Sequence, residues 1–232
     1  RPAPPPVARP GPGGGAPGVD HFVRRNIQTK NLVDTTTDVI IEGANGGNDT
    51  ISTTVNMNFT LVGQDTVENL TLGGTGTGTG NGQANVLTSG NSVNTLVGNA
   101  GNDTLIGGGR NDILSGGLGR DVYAYIGAAT TAALGTDTIQ DFTRGEDMID
   151  LSALTGVTGD FTFIGTNAFA ADNVNQIRLN IVGQTTTIQI DTNANNAAEL
   201  ETVLVEPVSA HDADFAHWLA GRPRGYHMAA VD

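Results

Sequence analysis

Apolar and polar positions recur with a period of nine between residues 80 and 124. In each nine the eighth position is Leu or Tyr, the sixth is Asn or Asp, and the first is Gly in all but one. The eighth positions are Leu87, Leu96, Leu105, Leu114 and Tyr123. The sixth positions are Asn85, Asn94, Asp103, Asp112 and Asp121. A fixed period of this kind predicts a solenoid, in which each repeat is stabilised by stacking on its neighbours.

Each nine divides into a six-residue turn and a three-residue strand, with one inward-facing side chain at position eight. Positions seven and nine face outward because side chains alternate along a β-strand. A strand this short cannot bury a face by itself, so we expect successive strands to stack about 4.8 Å apart in two parallel sheets. The predicted fold is all-β: a parallel β-roll, or β-solenoid, of nonapeptide repeats with two nines in each coil.

Short runs of β-branched residues on both sides of the repeat predict further strands. Residues Gly73–Gly80 (GGTGTGTG) contain no apolar side chain and predict a flexible turn region or a turn of the solenoid. The near-helical spacing of Phe215, Trp218 and Leu219 predicts a short C-terminal helix. The chain divides into a Pro/Gly-rich linker at 1–30, short strands or degenerate repeats at 31–79, the β-roll at 80–125, a β-rich cap at 126–216 and a tail at 217–232.

Charge and composition narrow the function classes. The net charge is −13, and from Asn31 to Gly221 there are 22 acidic residues but only four basic ones. Such a surface repels nucleic acid and anionic membranes and suits cations. No Cys is present, which excludes disulfides and thiolate metal sites, and no apolar run approaches the roughly 18 residues of a membrane span.

The turns of the repeat have the chemistry of a calcium site. Gly permits the tight backbone curvature that points carbonyl oxygens into a turn, and the Asp at position six adds a carboxylate. Ca²⁺ takes about six to eight oxygen ligands, whereas Zn²⁺ prefers His or Cys, which the repeat lacks. The candidate ligands are the carbonyl groups of Gly98, Ala100, Gly107, Gly109, Gly116 and Leu118 and the carboxylates of Asp103, Asp112 and Asp121.

Turns on one side of the roll recur every 18 residues, so neighbouring acidic groups can be paired from the sequence. Asp103 and Asp121 are expected on either side of one calcium ion, and Asp112 is expected to face Asn94, a weaker partner because it is neutral. Without an ion, like charges at strand spacing repel one another, so metal binding becomes folding free energy. We therefore predict a largely disordered apo chain and a β-rich calcium-bound chain.

These nines resemble the RTX, or hemolysin-type, calcium-binding repeat GGxGxDxUx. Gly116–Ala124 (GGLGRDVYA) matches it in full, while the two preceding nines each depart at one glycine position, at Asn99 and Arg110. An earlier partial copy, GANGGNDTIS, lies at Gly43–Ser52.

The segment after the repeat resembles the C-terminal domain of serralysin-type metalloproteases. The residues that carry the resemblance are Asp137–Leu154 (DTIQDFTRGEDMIDLSAL), Phe163–Phe169 (FIGTNAF), Ile188–Glu201 (IQIDTNANNAAELE) and Val208–Phe215 (VSAHDADF). The resemblance implies a β-sandwich-like cap on the roll, a secreted protein and export by a type I secretion apparatus. It also implies that the Asp137 and Asp141 carboxylates close a last calcium site. Asp147 and Asp150 are instead interpreted as turn-capping residues.

Neither HExxH nor G-x-S-x-G occurs in the chain, so we expect no catalysis here. The preferred hypothesis is a monomeric calcium-binding folding and secretion module. A second is the C-terminal part of a secreted hydrolase or epimerase whose active site lies upstream. A third is a calcium-dependent adhesin or surface-layer segment.

Overall fold

The computed structural model describes residues 21–24, 30–33, 39–42, 48–53, 59–60, 67–128, 130–157, 161–164, 166–170, 175–192, 197–198, 200–205 and 219–220. β-Strands dominate these residues, and the helix α1 is one short turn at Thr131–Leu134. In this part of the chain no helix is long and apolar enough to cross a membrane.

Strands β2 and β4 to β12 form the roll, β1 and β3 form a separate two-stranded sheet, and β13 to β19 follow in the chain. The first twelve strands are β1 His21–Arg24, β2 Lys30–Val33, β3 Val39–Glu42, β4 Thr50–Thr53, β5 Phe59–Thr60, β6 Asn69–Leu72, β7 Gly76–Thr79, β8 Val86–Ser89, β9 Asn94–Ala100, β10 Thr104–Ile106, β11 Ile113–Leu118 and β12 Val122–Ala128. The remaining strands are β13 Thr136–Ile139, β14 Met148–Thr155, β15 Phe161–Phe163, β16 Asn175–Val182, β17 Thr185–Asp191, β18 Leu200–Leu204 and β19 Leu219–Ala220.

Successive roll strands alternate between two parallel sheets, as the nine-residue period predicts. The even sheet has the order β19-β14-β12-β10-β8-β6-β4-β2, and the odd sheet contains β13-β11-β9-β7-β5. Leu105 lies beside Leu87 and Tyr123 in the even sheet, and Leu114 lies beside Leu96 in the odd sheet. All five side chains are buried in the core between the sheets. The predicted β-roll is therefore confirmed.

The strands begin earlier than the sequence suggested. β1 lies inside the range 1–30 that was interpreted as a linker, and it pairs in parallel with β3, His21 beside Val39. Residues 1–20 lie outside the described residues, as do 43–47 at the start of the partial repeat.

The glycine-rich stretch predicted to form a turn contains strand β7 instead. Gly78 occupies an inward position of this strand, where a Cβ would lie 3.1 Å from Leu70 Cδ2 and 3.2 Å from Leu96 Cδ2. Neighbouring leucines already fill this part of the core, so the absence of an apolar side chain at 78 is compatible with a buried strand.

The cap continues the odd sheet. β18 pairs in parallel with β13, and β16, β17 and β18 pair antiparallel. The buried Tyr125 of β12 donates a hydrogen bond from its hydroxyl to Thr202 Oγ1 of β18, at 2.8 Å. This bond joins the two sheets where the roll meets the cap.

The predicted C-terminal helix is wrong at Leu219. This residue lies in strand β19 and pairs with Ile149 of β14. Phe215 and Trp218, which also carried that prediction, lie outside the described residues.

Candidate metal centre

The position-six residues on the even-sheet side form a continuous ladder along the roll. The backbone N–H of Asn85 donates to Asp103 Oδ1 at 2.7 Å, and that of Asp103 donates to Asp121 Oδ1 at 2.8 Å. The N–H of Asp121 in turn donates to Asp147 Oδ1 at 2.9 Å. Each side chain therefore stabilises the backbone of the preceding coil, and Asp103 and Asp121 are neighbours as predicted.

A second ladder runs along the odd-sheet side. The N–H of Gly76 donates to Asn94 Oδ1 at 2.9 Å, and that of Asn94 donates to Asp112 Oδ1 at 2.7 Å. The N–H of Asp112 donates to Asp137 Oδ1 at 2.9 Å. Asp112 faces Asn94, as expected from the 18-residue spacing, but it also has an acidic neighbour, Asp137, on its other side.

Three ladder carboxylates have a second oxygen with no hydrogen-bond donor in the described part of the chain. These atoms are Oδ2 of Asp103, Asp112 and Asp121. The three side chains are at most 1 % exposed, so water does not readily supply the missing donor. A buried acceptor without a partner costs about 1–3 kcal/mol, and more when it is charged. The arrangement favours a positive ligand at each of these turns.

The glycines at position one make room for these oxygens. A Cβ on Gly98 would collide with Asp103 Oδ2 and also meet the carbonyl oxygen of Gly116, one coil further on. A Cβ on Gly116 would likewise collide with Asp121 Oδ2. Carboxylate and carbonyl oxygens thus crowd the same side of Gly98, which explains why the first position cannot carry a side chain in this turn.

The Gly107 turn brings two carboxylates together. A Cβ on Gly107 would lie 2.8 Å from Asp112 Oδ2 and 3.1 Å from Asp137 Oδ2, so both oxygens face this turn. Burial raises the pKa of Asp112 to about 7, and the negative charge of Asp137 contributes in the same direction. Burial also raises the pKa of Asp137 to about 7.

The even-sheet carboxylates show the same electrostatic pattern. Burial raises the pKa of Asp103 to about 6, and the charge of Asp121 adds to the effect. Burial raises the pKa of Asp121 as well, with a further contribution from Asp141. These groups resist ionisation in the folded chain unless a cation compensates their charge.

The other predicted carbonyl ligands lie along the same turns. The Leu118 carbonyl accepts a hydrogen bond from Gly101 N at 2.9 Å, and Ala100 pairs with Leu118 at the ends of β9 and β11. The Gly107 carbonyl accepts a bond from Ser89 Oγ at 2.6 Å. Gly109 N donates to the Gly90 carbonyl at 3.1 Å.

The donor set fits calcium better than a transition metal. Within the residues described, no group of three or more His, Cys, Asp or Glu side chains could hold a metal ion. An ion in these turns must therefore draw on one or two carboxylates together with backbone carbonyls. Ca²⁺ accepts such an all-oxygen shell of mixed ligands, and the buried Oδ2 atoms supply the negative charge it requires.

The hydrogen bonds of Asp137 and Asp141 in the described part of the chain reach different turns, and the last calcium site that the resemblance implies for them stays a prediction. Asp137 is the second residue of β13, and Asp141 lies two residues beyond its end. Asp137 belongs to the odd-sheet ladder beside Asp112. Asp141 Oδ1 accepts bonds from Gly116 N and Tyr123 Oη, both at 3.0 Å.

The second oxygen of Asp141 is also occupied. Its Oδ2 accepts bonds from Ser115 Oγ at 2.6 Å and from Gly117 N at 3.0 Å. Because both oxygens already have donors from the chain, Asp141 is suited to anchoring residues 115–117 of β11 and less suited to holding an ion.

Sequence reasoning assigned Asp147 to turn capping and missed its place in the even-sheet ladder. Its Oδ1 accepts the N–H of Asp121, while its Oδ2 accepts that of Thr143 at 2.7 Å. Asp147 therefore both caps the turn at Thr143 and continues the even-sheet ladder. Its position directly before the strand residues Met148 and Ile149 parallels that of Asp121 before Val122 and Tyr123, and this is the signal that could have revealed it.

The chain is similar in sequence to one protein family and in fold to several solved structures. The family described as "Peptidase M10 serralysin C terminal" matches residues 24–216. Similar solved structures include the AlgE6R3 and AlgE6R2 subunits of the Azotobacter vinelandii mannuronan C5-epimerase, each 20 % identical with a TM-score of 0.45. The match to AlgE6R3 covers 68 % of this chain and 87 % of the AlgE6R3 chain. The match to AlgE6R2 covers 74 % of this chain and 96 % of the AlgE6R2 chain.

No curated protein matches the chain by sequence. The family match, by contrast, spans most of the chain, from the last residue of β1 through the roll and the cap to residue 216, beyond β18. The chain therefore belongs to the Peptidase M10 serralysin C-terminal family.

Proposed function

We propose that this chain is a calcium-binding module of a secreted protein that folds around the ions it binds. It supports type I secretion and folding outside the cell, and it has no catalytic activity of its own. The carboxylates of Asp103, Asp112, Asp121 and Asp137 hold the ions. The carbonyl groups that complete the shells belong to Gly98, Ala100, Gly107, Gly109, Gly116 and Leu118.

The observation that carries this proposal is the set of buried carboxylate oxygens without donors at Asp103, Asp112 and Asp121. Their turns contain carbonyl oxygens and glycines but no cationic side chain that the structure shows bonded to them. A divalent cation would compensate the charge of each oxygen and link successive coils. Removing it leaves acidic groups stacked at strand spacing, which disfavours the folded state.

The same chemistry suits a protein that folds after export. Extracellular calcium modules bind with dissociation constants of about 10⁻⁴–10⁻³ M. Such sites bind calcium where its concentration is high, so the coils fold outside the cell. Membership of the serralysin C-terminal family supports a secreted parent protein.

The proposal is tested by circular dichroism and calorimetric titration of the same chain. We expect a large loss of β signal in EGTA, full recovery with excess Ca²⁺, and saturable calcium binding. Mg²⁺ at equal concentration is the control, because it demands a smaller octahedral shell and dehydrates reluctantly. An unchanged spectrum after chelation, together with no binding heat, would refute the proposal.

A second proposal concerns the parent protein. The family description names a peptidase, so we propose that this chain is the C-terminal part of a secreted metalloprotease. The test is the reading frame upstream of Arg1, which should encode an HExxH helix in a separate domain. An upstream region without HExxH would exclude this parent and leave the calcium proposal unaffected.

A further inference from the structure

The turn Ser89–Asn94 differs in chemistry from the three acidic turns that follow it. It has Ser at position one and Asn at position six, and both side chains are buried. Ser89 Oγ donates to the Gly107 carbonyl at 2.6 Å, and Asn94 Nδ2 donates to the Ser92 carbonyl at 2.9 Å. Asn94 Oδ1 still accepts the N–H of Gly76 and so keeps its place in the ladder.

The next turn on the same side of the roll has the opposite polarity. Gly107 has no side chain to donate, and Asp112 has a buried Oδ2 without a donor where Asn94 has an amide N–H. Asp137 Oδ2 faces the same space. Equivalent positions thus carry hydrogen-bond donors in one coil and only acceptors in the next.

We propose that Ser89 and Asn94 replace the calcium ion in their turn, so that this turn closes without metal. A hydroxyl and an amide supply partial positive charge to the turn carbonyls, and the neutral Asn leaves no carboxylate to compensate. This inference rests on the proposed function, because it assigns ions to the acidic turns and denies one to this turn.

The preceding even-side turn follows the same rule. Asn85 Oδ1 accepts the N–H of Asn81 at 2.8 Å, while its Nδ2 donates to the carbonyls of Val67 and Glu68, at 3.3 and 3.2 Å. Like Asn94, this residue supplies its own donor. The two turns that directly precede Gly98, one on each side of the roll, therefore supply their own donors, whereas the turns that end at Asp103, Asp112 and Asp121 do not.

The coils with neutral turns can serve as a folded edge on which the coils with acidic turns assemble. β8 and the first four residues of β9, 94–97, end the part that closes without metal, and β8 and β9 pair directly with β10 and β11. Leu87 and Leu96 offer an apolar surface on which Leu105 and Leu114 can stack. Adding a coil to an existing edge avoids the cost of nucleating a new one, so calcium needs only to extend the roll.

The direct test converts the neutral turn into an acidic one. The double variant Ser89→Gly/Asn94→Asp recreates the side chains of the Gly107–Asp112 turn at the same positions. Calorimetric titration should show one more Ca²⁺ bound than in the parent chain, and in EGTA the variant should unfold at a lower temperature. An unchanged ion count with unchanged stability in EGTA would overturn the inference, and so would failure to fold in saturating calcium.

Asp112→Asn is the reciprocal control. It keeps the Oδ1 acceptor for Asn94 N and places an amide where the orphaned oxygen lies. We expect one ion fewer than in the parent chain and a smaller stability loss on chelation. A parent chain that binds no calcium would contradict the proposed function itself, whereas a calcium-binding parent with unaltered variants would contradict only this inference.

Hydrogen exchange of the parent chain in EGTA tests this folded edge directly. Amides of β8 and of residues 94–97 in β9 should stay protected, and those of β10 to β12 should exchange rapidly until calcium is added. Equal loss of protection on both sides of Gly98 would overturn the inference even if the titrations agreed with it.

Discussion

The backbone N–H of Asp103 donates to Oδ1 of Asp121 at 2.8 Å, one coil further along the roll. One carboxylate therefore does two things: Oδ1 holds the preceding coil, and Oδ2 is left without a donor. Substitutions that keep the Oδ1 acceptor but remove the charge can distinguish the effect of this hydrogen bond on stability from the effect of the charge.

Asp121→Asn and Asp121→Ala should differ in a predictable way. Asn keeps an acceptor for Asp103 N and removes the charge, so it should lose one calcium ion yet retain more β signal than the parent in EGTA. Ala loses the acceptor as well and should be less stable than Asn by about 1–3 kcal/mol. Calorimetric titration, circular dichroism in EGTA and thermal melts in saturating calcium measure these effects. Equal melting temperatures for the two variants in saturating calcium would contradict the role of Oδ1.

Acid should partly replace calcium in the chelated chain. The pKa values of Asp103 and Asp112 are raised from 3.8 to about 6 and about 7, mainly by burial. A raised pKa in the folded state means that protonation favours folding. The stabilisation is complete below about pH 4 and is lost as pH rises through 6 and 7. We therefore expect the β signal of the chain in EGTA to grow on acidification from pH 8 to pH 4.

Saturating calcium should reverse this dependence. The ion needs ionised carboxylates, so protonation competes with binding and weakens it at low pH. Circular dichroism at several pH values, with EGTA in one series and calcium in the other, should give curves of opposite slope. Parallel curves would argue against carboxylate ligands.

Gly98→Ala should weaken calcium binding through crowding. The added methyl group would collide with Asp103 Oδ2 and meet the Gly116 carbonyl oxygen, two of the atoms that face the turn. Gly90→Ala is the matched control, because a Cβ on Gly90 would meet only Leu72 O, at 3.7 Å, an ordinary van der Waals distance. Titration should show weaker binding or a lost ion for Gly98→Ala alone. Similar affinities for both variants would show that the Gly98 turn holds no ion.

The nine-residue period predicted the central coils but not the full length of the roll. Ile51, Leu70 and Leu87 stand in one buried column, yet they are separated by 19 and 17 residues. A surface turn can gain or lose a residue while the strands keep their stacking. A strict count of nine residues then no longer predicts which positions face the core. The sequence left short strands and degenerate repeats as alternatives for 31–79, and the parallel pairing of β4, β6 and β8 shows that these coils continue the roll.

The candidate site was predictable where the repeat is regular. Position and chemistry select Asp103, Asp112 and Asp121 as candidate ligands, and the structure places Asp103 beside Asp121 and Asp112 beside Asn94, as the 18-residue spacing predicts. Asp147 was missed because the turn after β13 is longer than six residues, so its position in the repeat could not be counted. The distinct environments of Asp137 and Asp141 depend on which turn each contacts, which spacing along one strand does not reveal.

Asp141 provides the last prediction, because its role differs from that of the other carboxylates. Four donors reach its two oxygens: Ser115 Oγ, Gly116 N, Gly117 N and Tyr123 Oη. Asp141→Asn would turn an amide towards some of these donors and leave them unsatisfied. We expect a loss of several kcal/mol of stability, since each unsatisfied buried donor costs about 1–3 kcal/mol.

The number of ions bound separates anchoring from metal binding at Asp141. In saturating calcium, Asp141→Asn should bind as many ions as the parent chain while melting at a lower temperature. Asp150→Asn is the matched control, because Asp150 Oδ1 accepts one exposed bond from Ser152 N at 2.8 Å, and its replacement should change neither quantity. Loss of an ion in a folded Asp141→Asn protein would make Asp141 a ligand, in which case its hydrogen bonds would have to rearrange when calcium enters the turn.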